Sequence, residues 1–200
     1  MRSRFLRTIA ACWLVAGTSL FAQAAGGPLD VVRSSNQEVL DLYAAAGDEI
    51  SDETTTEVFA VIDSVTDFSR LADRALDGLC DAEAGDDCER FATVFVELLR
   101  VSSIKKLGRY RADNFDYLSE SLDGEAAVIE TLAYYGDDEI GLVYYLERRE
   151  DRWKIVNYVV DGVDTIENYR KQFNRLLRRD SVDEVIARLE RRIEALESED

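Results

Sequence analysis

The chain has 200 residues, 46% of them hydrophobic, with 41 acidic against 24 basic residues and a net charge of −17. Such a balance is repelled by phosphate backbones and by anionic lipid surfaces, which argues against nucleic acid as a partner and against stable membrane insertion. There is no histidine, so Ser-His-Asp triads, histidine-based zinc sites and histidine general bases are excluded.

Arg2, Arg4 and Arg7 form a basic leader, an apolar stretch covers residues 9–21, and Ala22-Gln23-Ala24 supplies a small-x-small cleavage site. This pattern predicts a secretory signal peptide over residues 1–24, cut after about Ala24. The apolar run falls short of the roughly 20 residues that a membrane anchor needs. Ile9-Ala10-Ala11-Cys12 has the outline of a lipobox, but the apolar stretch before Cys12 is too short for one. The mature chain, residues 25–200, keeps 21 basic and 41 acidic residues, a net of −20. It has the length of one domain with a real core, and no linker or internal repeat divides it.

The mature elements begin with helices. Residues 29–46 carry Val32, Val39, Leu40 and Tyr43 at helical spacing and stop at Gly47. Residues 51–65 start at a Ser cap and show Val58, Phe59 and Ile62 on one face. Residues 67–79 form a third helix with Phe68, Leu71, Ala72 and Leu76, and residues 86–107 a long fourth one striped by Phe91, Val94, Phe95, Leu98, Leu99 and Ile104. Cys80 lies between these two and Cys88 at the start of the fourth. In an oxidising compartment this even pair predicts a disulfide closing an acidic loop, worth about 2–3 kcal/mol in the chain-entropy model. A metal pair is the weaker alternative, since two thiols are half a zinc site, and a redox site would favour Cys-x-x-Cys.

The period then changes to two. Residues 115–121, 125–135, 139–149 and 152–160 read as four strands joined by the short turns Asp123-Gly124, Gly136-Asp137 and Glu150-Asp151, as in antiparallel hairpins. After the Asp161-Gly162 turn the helical period returns with Ile166, Tyr169, Phe173, Leu176 and Leu177. A last helix carries Val182, Val185, Ile186, Leu189, Ile193 and Leu196. Asp164 with Glu167 and Ser181 with Glu184 have capping-box spacing. The order predicts an α+β fold, with helices packed on one face of a curved four-stranded antiparallel sheet.

Few chemistries remain. Paired carboxylates such as Asp137 and Asp138 are expected by chance among 41 acids, no acidic run follows an EF-hand spacing, and no Gly-rich phosphate loop is present. Oxidised thiols leave no Cys nucleophile. Apolar residues recur instead on the sheet and on the helices facing it, the composition of a core or of a cavity within one. Basic residues concentrate in the last third, among them Arg148, Arg149, Arg152, Lys154, Arg170 and Lys171.

The segment WKIVNYVVDGV followed by ENYRKQFNRLLRRDSVDEVIARLE resembles the C-terminal signature of the MlaC family, also called toluene-tolerance periplasmic proteins. DFSRLADRAL is similar to the family's segment before the long helix. One departure is the stretch from Asp77-Gly78-Leu79-Cys80 to Cys88, where the family usually has a Gly-x-[YH]-W-type segment. The resemblance implies an NTF2-like cone holding acyl chains between sheet and helices. It implies a monomeric periplasmic carrier of phospholipid, which is cargo rather than cofactor, with no catalytic or metal site. Its implied partners are an outer-membrane lipoprotein–porin complex and an inner-membrane ABC transporter with an MCE-domain protein, which together maintain outer-membrane lipid asymmetry.

On that reading the lipid pocket is expected from Phe68, Leu71, Ala72 and Leu76 on the third helix and Phe95, Leu98 and Leu99 on the fourth. The sheet and its exit turn would add Val128, Leu132, Val143, Tyr145, Val159 and Val163, and the returning helix Tyr169 and Phe173. Arg170, beside Tyr169, would contact a partner or a buried acid, or form a structural salt bridge. Two alternatives stand beside carriage. One is an NTF2-like enzyme using an Asp or Tyr as acid or base in the same pocket. The other is an interaction module whose sheet face is filled by side chains.

Overall fold

The computed structural model describes residues 26–47, 49–79, 86–109 and 111–198. The expected signal peptide and Cys80 lie outside these residues, and with Cys80 the expected pairing to Cys88.

Helix α1 (Pro28–Ala46) opens with a proline whose missing N–H costs nothing in a first turn. The Asp30 carboxylate accepts from the Gly27 N–H at 2.9 Å. Helix α2 (Asp52–Val65) is capped by Ser51, whose Oγ accepts from the Thr54 N–H at 3.1 Å. Thr66 then makes a single parallel bridge to Ile155. Asp67 caps α3 (Phe68–Leu76), its Oδ1 accepting from the Arg70 N–H. The long α4 (Asp86–Arg109) follows.

The sheet is an antiparallel meander in chain order: β1 (Asn114–Asp123), β2 (Ala126–Tyr135), β3 (Asp138–Arg149), β4 (Arg152–Val160) and β5 (Val163–Asp164). The expected four strands are thus joined by a fifth of two residues. It arises because the chain reverses at Asp161-Gly162, with Gly162 at φ +76°, and Val163 pairs straight back onto Val160. Register shifts follow Tyr117 in β1 and fall between the Tyr145 and Leu146 pairings of β4. Such bulges bend the strands and increase their twist. Asp164 next caps α5 (Thr165–Leu177), accepting from the Glu167 N–H at 2.8 Å. Ser181 and Glu184 form the reciprocal box at the start of α6 (Val182–Ser198).

Apolar packing gathers in three places. The largest joins α3, α4, α5 and α6 around Leu71, Phe91, Phe95, Leu99, Phe173 and Ile186, all fully buried or nearly so. Its aromatic rings meet edge to face, Phe95–Phe173 at 4.7 Å and Phe91–Phe173 at 5.0 Å between centroids. A second cluster sets Val32 of α1 on Ala127, Ile129, Leu146 and Ile155 of the sheet. A third joins α1 to α2 through Val39, Tyr43, Val58 and Val61. Where these three fail to merge, the space between α1 and the sheet stays open.

Candidate functional site

That space is a cavity of about 460 Å³. From α1 it is lined by Ser35, Asn36, Val39, Leu40 and Tyr43, and from the end of α2 and start of α3 by Ile62, Val65, Thr66 and Phe68. The sheet contributes Phe115, Ala133, Tyr135, Ile140, Leu142, Tyr144, Ile155, Tyr158 and Val160. The register explains this set. Phe115 pairs with Ala133, Ala133 with Ile140, Leu142 with Val160, and Tyr144 with Tyr158, so all these side chains stand on one face. Ala133 is the small member of the row, and the room it leaves is part of the cavity.

The phenol, amide and serine groups that meet across this wall are neutral and hydrogen-bonded. The Tyr144 hydroxyl donates to Asn36 Oδ1 at 3.5 Å, and Asn36 Nδ2 donates to the Tyr117 hydroxyl at 3.4 Å. Ser103 Oγ and the Tyr158 hydroxyl are 3.2 Å apart. Burial pushes the phenols of Tyr144 and Tyr158 upward, and the hydrogen bonds they share with Asn36 and Ser103 offset it only in part. They stay protonated at neutral pH and present hydroxyls, not charges. The one carboxylate on the lining among the described residues is Asp161, exposed at the rim and accepting from the Gly141 N–H at 2.9 Å. No cluster of metal-ligating side chains occurs among the described residues. A neutral apolar hollow with a few hydroxyls suits the hydrocarbon part of an amphiphile. No described helix is long and apolar enough to cross a membrane.

Of the residues expected in the pocket, Phe68 lines the cavity. Leu71, Ala72, Leu76, Phe95, Leu98, Leu99 and Phe173 are buried in the helical cluster instead, with Tyr169 packed against it. The α5 face that was expected to close an apolar space on the sheet is therefore filled, Tyr169 and Phe173 lying against Phe95 at 4.9 and 4.7 Å. Val128, Leu132, Val143, Tyr145 and Val159 have the opposite strand parity to the lining residues and lie on the other face of the sheet. Val163 is 54% exposed. Sequence reasoning missed α1 as a wall, although Ser35 and Asn36 interrupt its apolar face next to Val39 and Leu40. Arg170 donates to the Arg74 carbonyl and lies 3.6 Å from Asp77, an ion pair between exposed groups.

An open antiparallel sheet with helices packed on it and an apolar hollow between α1 and the sheet is an α+β architecture with room for a nonpolar ligand. The family model described as MlaC protein matches residues 33–191, and the chain belongs to that family. Among solved structures it is similar to the phospholipid-binding protein from Ralstonia solanacearum, determined in complex with a phospholipid. The two are 19% identical, with a TM-score of 0.68 over 86% of this chain and 100% of that one, a likeness of fold. No curated protein matches the chain.

Proposed function

We propose that this protein is an exported phospholipid carrier that takes up an acyl chain in the cavity between α1 and the sheet and leaves the headgroup in water. The observation that carries this is the neutral, largely apolar lining of a hollow of about 460 Å³ in a chain of the MlaC family. The bound phospholipid of the Ralstonia relative supports it. Each methylene moved from water into such a space contributes about 0.8 kcal/mol, so burial alone holds the cargo and no cofactor or covalent chemistry is required. The leader over residues 1–24 supports a periplasmic location, and family membership supports a shuttle between an outer-membrane lipoprotein–porin complex and an inner-membrane ABC transporter with an MCE-domain protein. A disulfide between Cys80 and Cys88 belongs to the same proposal, since it suits an oxidising compartment.

A transfer assay tests the reading. Purified protein should withdraw fluorescent phospholipid from donor vesicles and deliver it to acceptors. Transfer no faster than in buffer would count against carriage. Amino-terminal sequencing of the exported protein should begin at Ala25, and an unprocessed terminus would refute the leader.

A further inference from the structure

The sheet face turned away from the cavity holds two features that lipid enclosure does not use. The first is an apolar band. Val128 stands opposite Tyr145, and Val143 opposite Val159, on adjacent strands, with the exposed Glu130 on the other side of Val143 as the band's one carboxylate among the described residues. No helix packs substantially on β3. The valines are half-buried by their neighbours, and Tyr145 is 38% exposed.

The second feature begins two residues along β3 from Tyr145, on the same face. Glu147 there is ion-paired to Arg74, lies 2.9 Å from Arg149 and lies 3.7 Å from Arg70. Arg170 adjoins them through the Arg74 carbonyl and Asp77. Four guanidinium groups thus surround two carboxylates, a local excess of two positive charges in a chain of net −17. The Nε atoms of Arg70 and Arg170 are buried without a hydrogen-bond partner. A purely structural ion pair needs one arginine for Glu147, not three.

Arginine and tyrosine beside a desolvated apolar patch are what protein interfaces enrich, and guanidinium pairs bidentately with carboxylates. The rest of this acidic molecule is repelled by an anionic bilayer, so two excess charges do not make it a membrane-binding face. They do orient an acidic protein surface as it approaches. We propose that the outer face of β2–β4, with the Arg70–Arg74–Arg149–Arg170 cluster at its end, docks a partner protein that presents carboxylates beside an apolar ridge. The ridge lies on Tyr145 and the valines, and the carboxylates meet the arginines. Because the cavity lining stands on the other face of the sheet, docking here leaves the cargo in place.

The test places a photo-crosslinking benzoylphenylalanine at position 145, with a control at the exposed Glu57 of α2, in the full chain within exporting cells. Position 145 should yield a discrete protein adduct and position 57 none. The crosslinked peptide of the partner should carry Asp or Glu beside apolar residues. The double change Arg70→Glu and Arg149→Glu should lower adduct yield at least tenfold while leaving the folded circular-dichroism spectrum and the vesicle-transfer rate unchanged. Should that variant fold poorly, Arg149→Gln at the exposed strand end should still lower the yield severalfold. No adduct above the control, or a yield indifferent to the arginines, would overturn the proposal. So would arginine-dependent sedimentation with phosphatidylcholine–phosphatidylglycerol vesicles, which would assign the face to lipid. Loss of vesicle transfer by the unaltered protein would refute the carrier reading and leave this one standing.

Discussion

Replacing Ala133 with Phe places a ring in the middle of the cavity wall. Ala133 is 5% exposed, sits between Phe115 and Ile140 in the sheet register, and faces the hollow. At about 30 Å³ per methylene-sized group, the volume of a water molecule in the liquid, the 460 Å³ space holds roughly 15 methylenes. Single-chain amphiphiles should therefore gain affinity about fourfold per added carbon, from about 0.8 kcal/mol each, and level off near about 15 carbons. The added ring takes the room of several carbons. A loss of three buried methylenes is about 2.4 kcal/mol, or about 60-fold in affinity for a long chain, while short chains bind as before. Isothermal titration of a series of lysophospholipids differing only in chain length gives both the slope and the plateau. An unchanged plateau in the Ala133→Phe protein, with its fold intact, would refute the placement of the chain in this cavity.

Further outcomes follow from other parts of the molecule. Phe95→Ala, which empties the centre of the aromatic cluster, should cost about 3–5 kcal/mol in chemical denaturation without moving the chain-length plateau, because Phe95 does not line the cavity. Asp164→Ala removes the α5 cap and the 2.9 Å hydrogen bond from Asn157, and should cost about 1–2 kcal/mol by the same measurement. Burial pushes the Glu147 carboxyl upward, but Arg149 and Arg74 outweigh this and hold it below the ordinary range. A depressed acid stabilises the fold above its unfolded value and loses that contribution as pH falls through the folded one. Denaturation midpoints of the unaltered protein should therefore fall more steeply below about pH 4.3 than those of Glu147→Gln. Parallel curves would contradict the assignment.

The helices were legible because their apolar stripes are unambiguous. Phe91, Phe95, Leu98 and Leu99 repeat at helical spacing, and Asp164 and Ser181 announce the starts of α5 and α6. The strands were legible as strands, but their inward face was not. In β2 both parities mix apolar and polar residues, Val128 and Leu132 with Glu130 on one and Ala127, Ile129 and Ala133 with Thr131 on the other, and the greater bulk of Leu132 beside Ala133 points to the wrong side. The fold sets the small residues inward, and a shift of one residue exchanges every side chain between faces. A cavity is space left by small side chains, and sequence shows the side chains and not the space. α1 held the clue, since Ser35 and Asn36 sit where a solid core would want apolar residues.

Carriage of phospholipid in the hollow between α1 and the sheet, as proposed, leaves a mass signature on the isolated protein. Native mass spectrometry of the protein isolated gently from cells that export it reads this out. A mass excess equal to a phospholipid is expected, released on collisional activation and lost from the Ala133→Phe protein. A bare polypeptide mass in both proteins would contradict it.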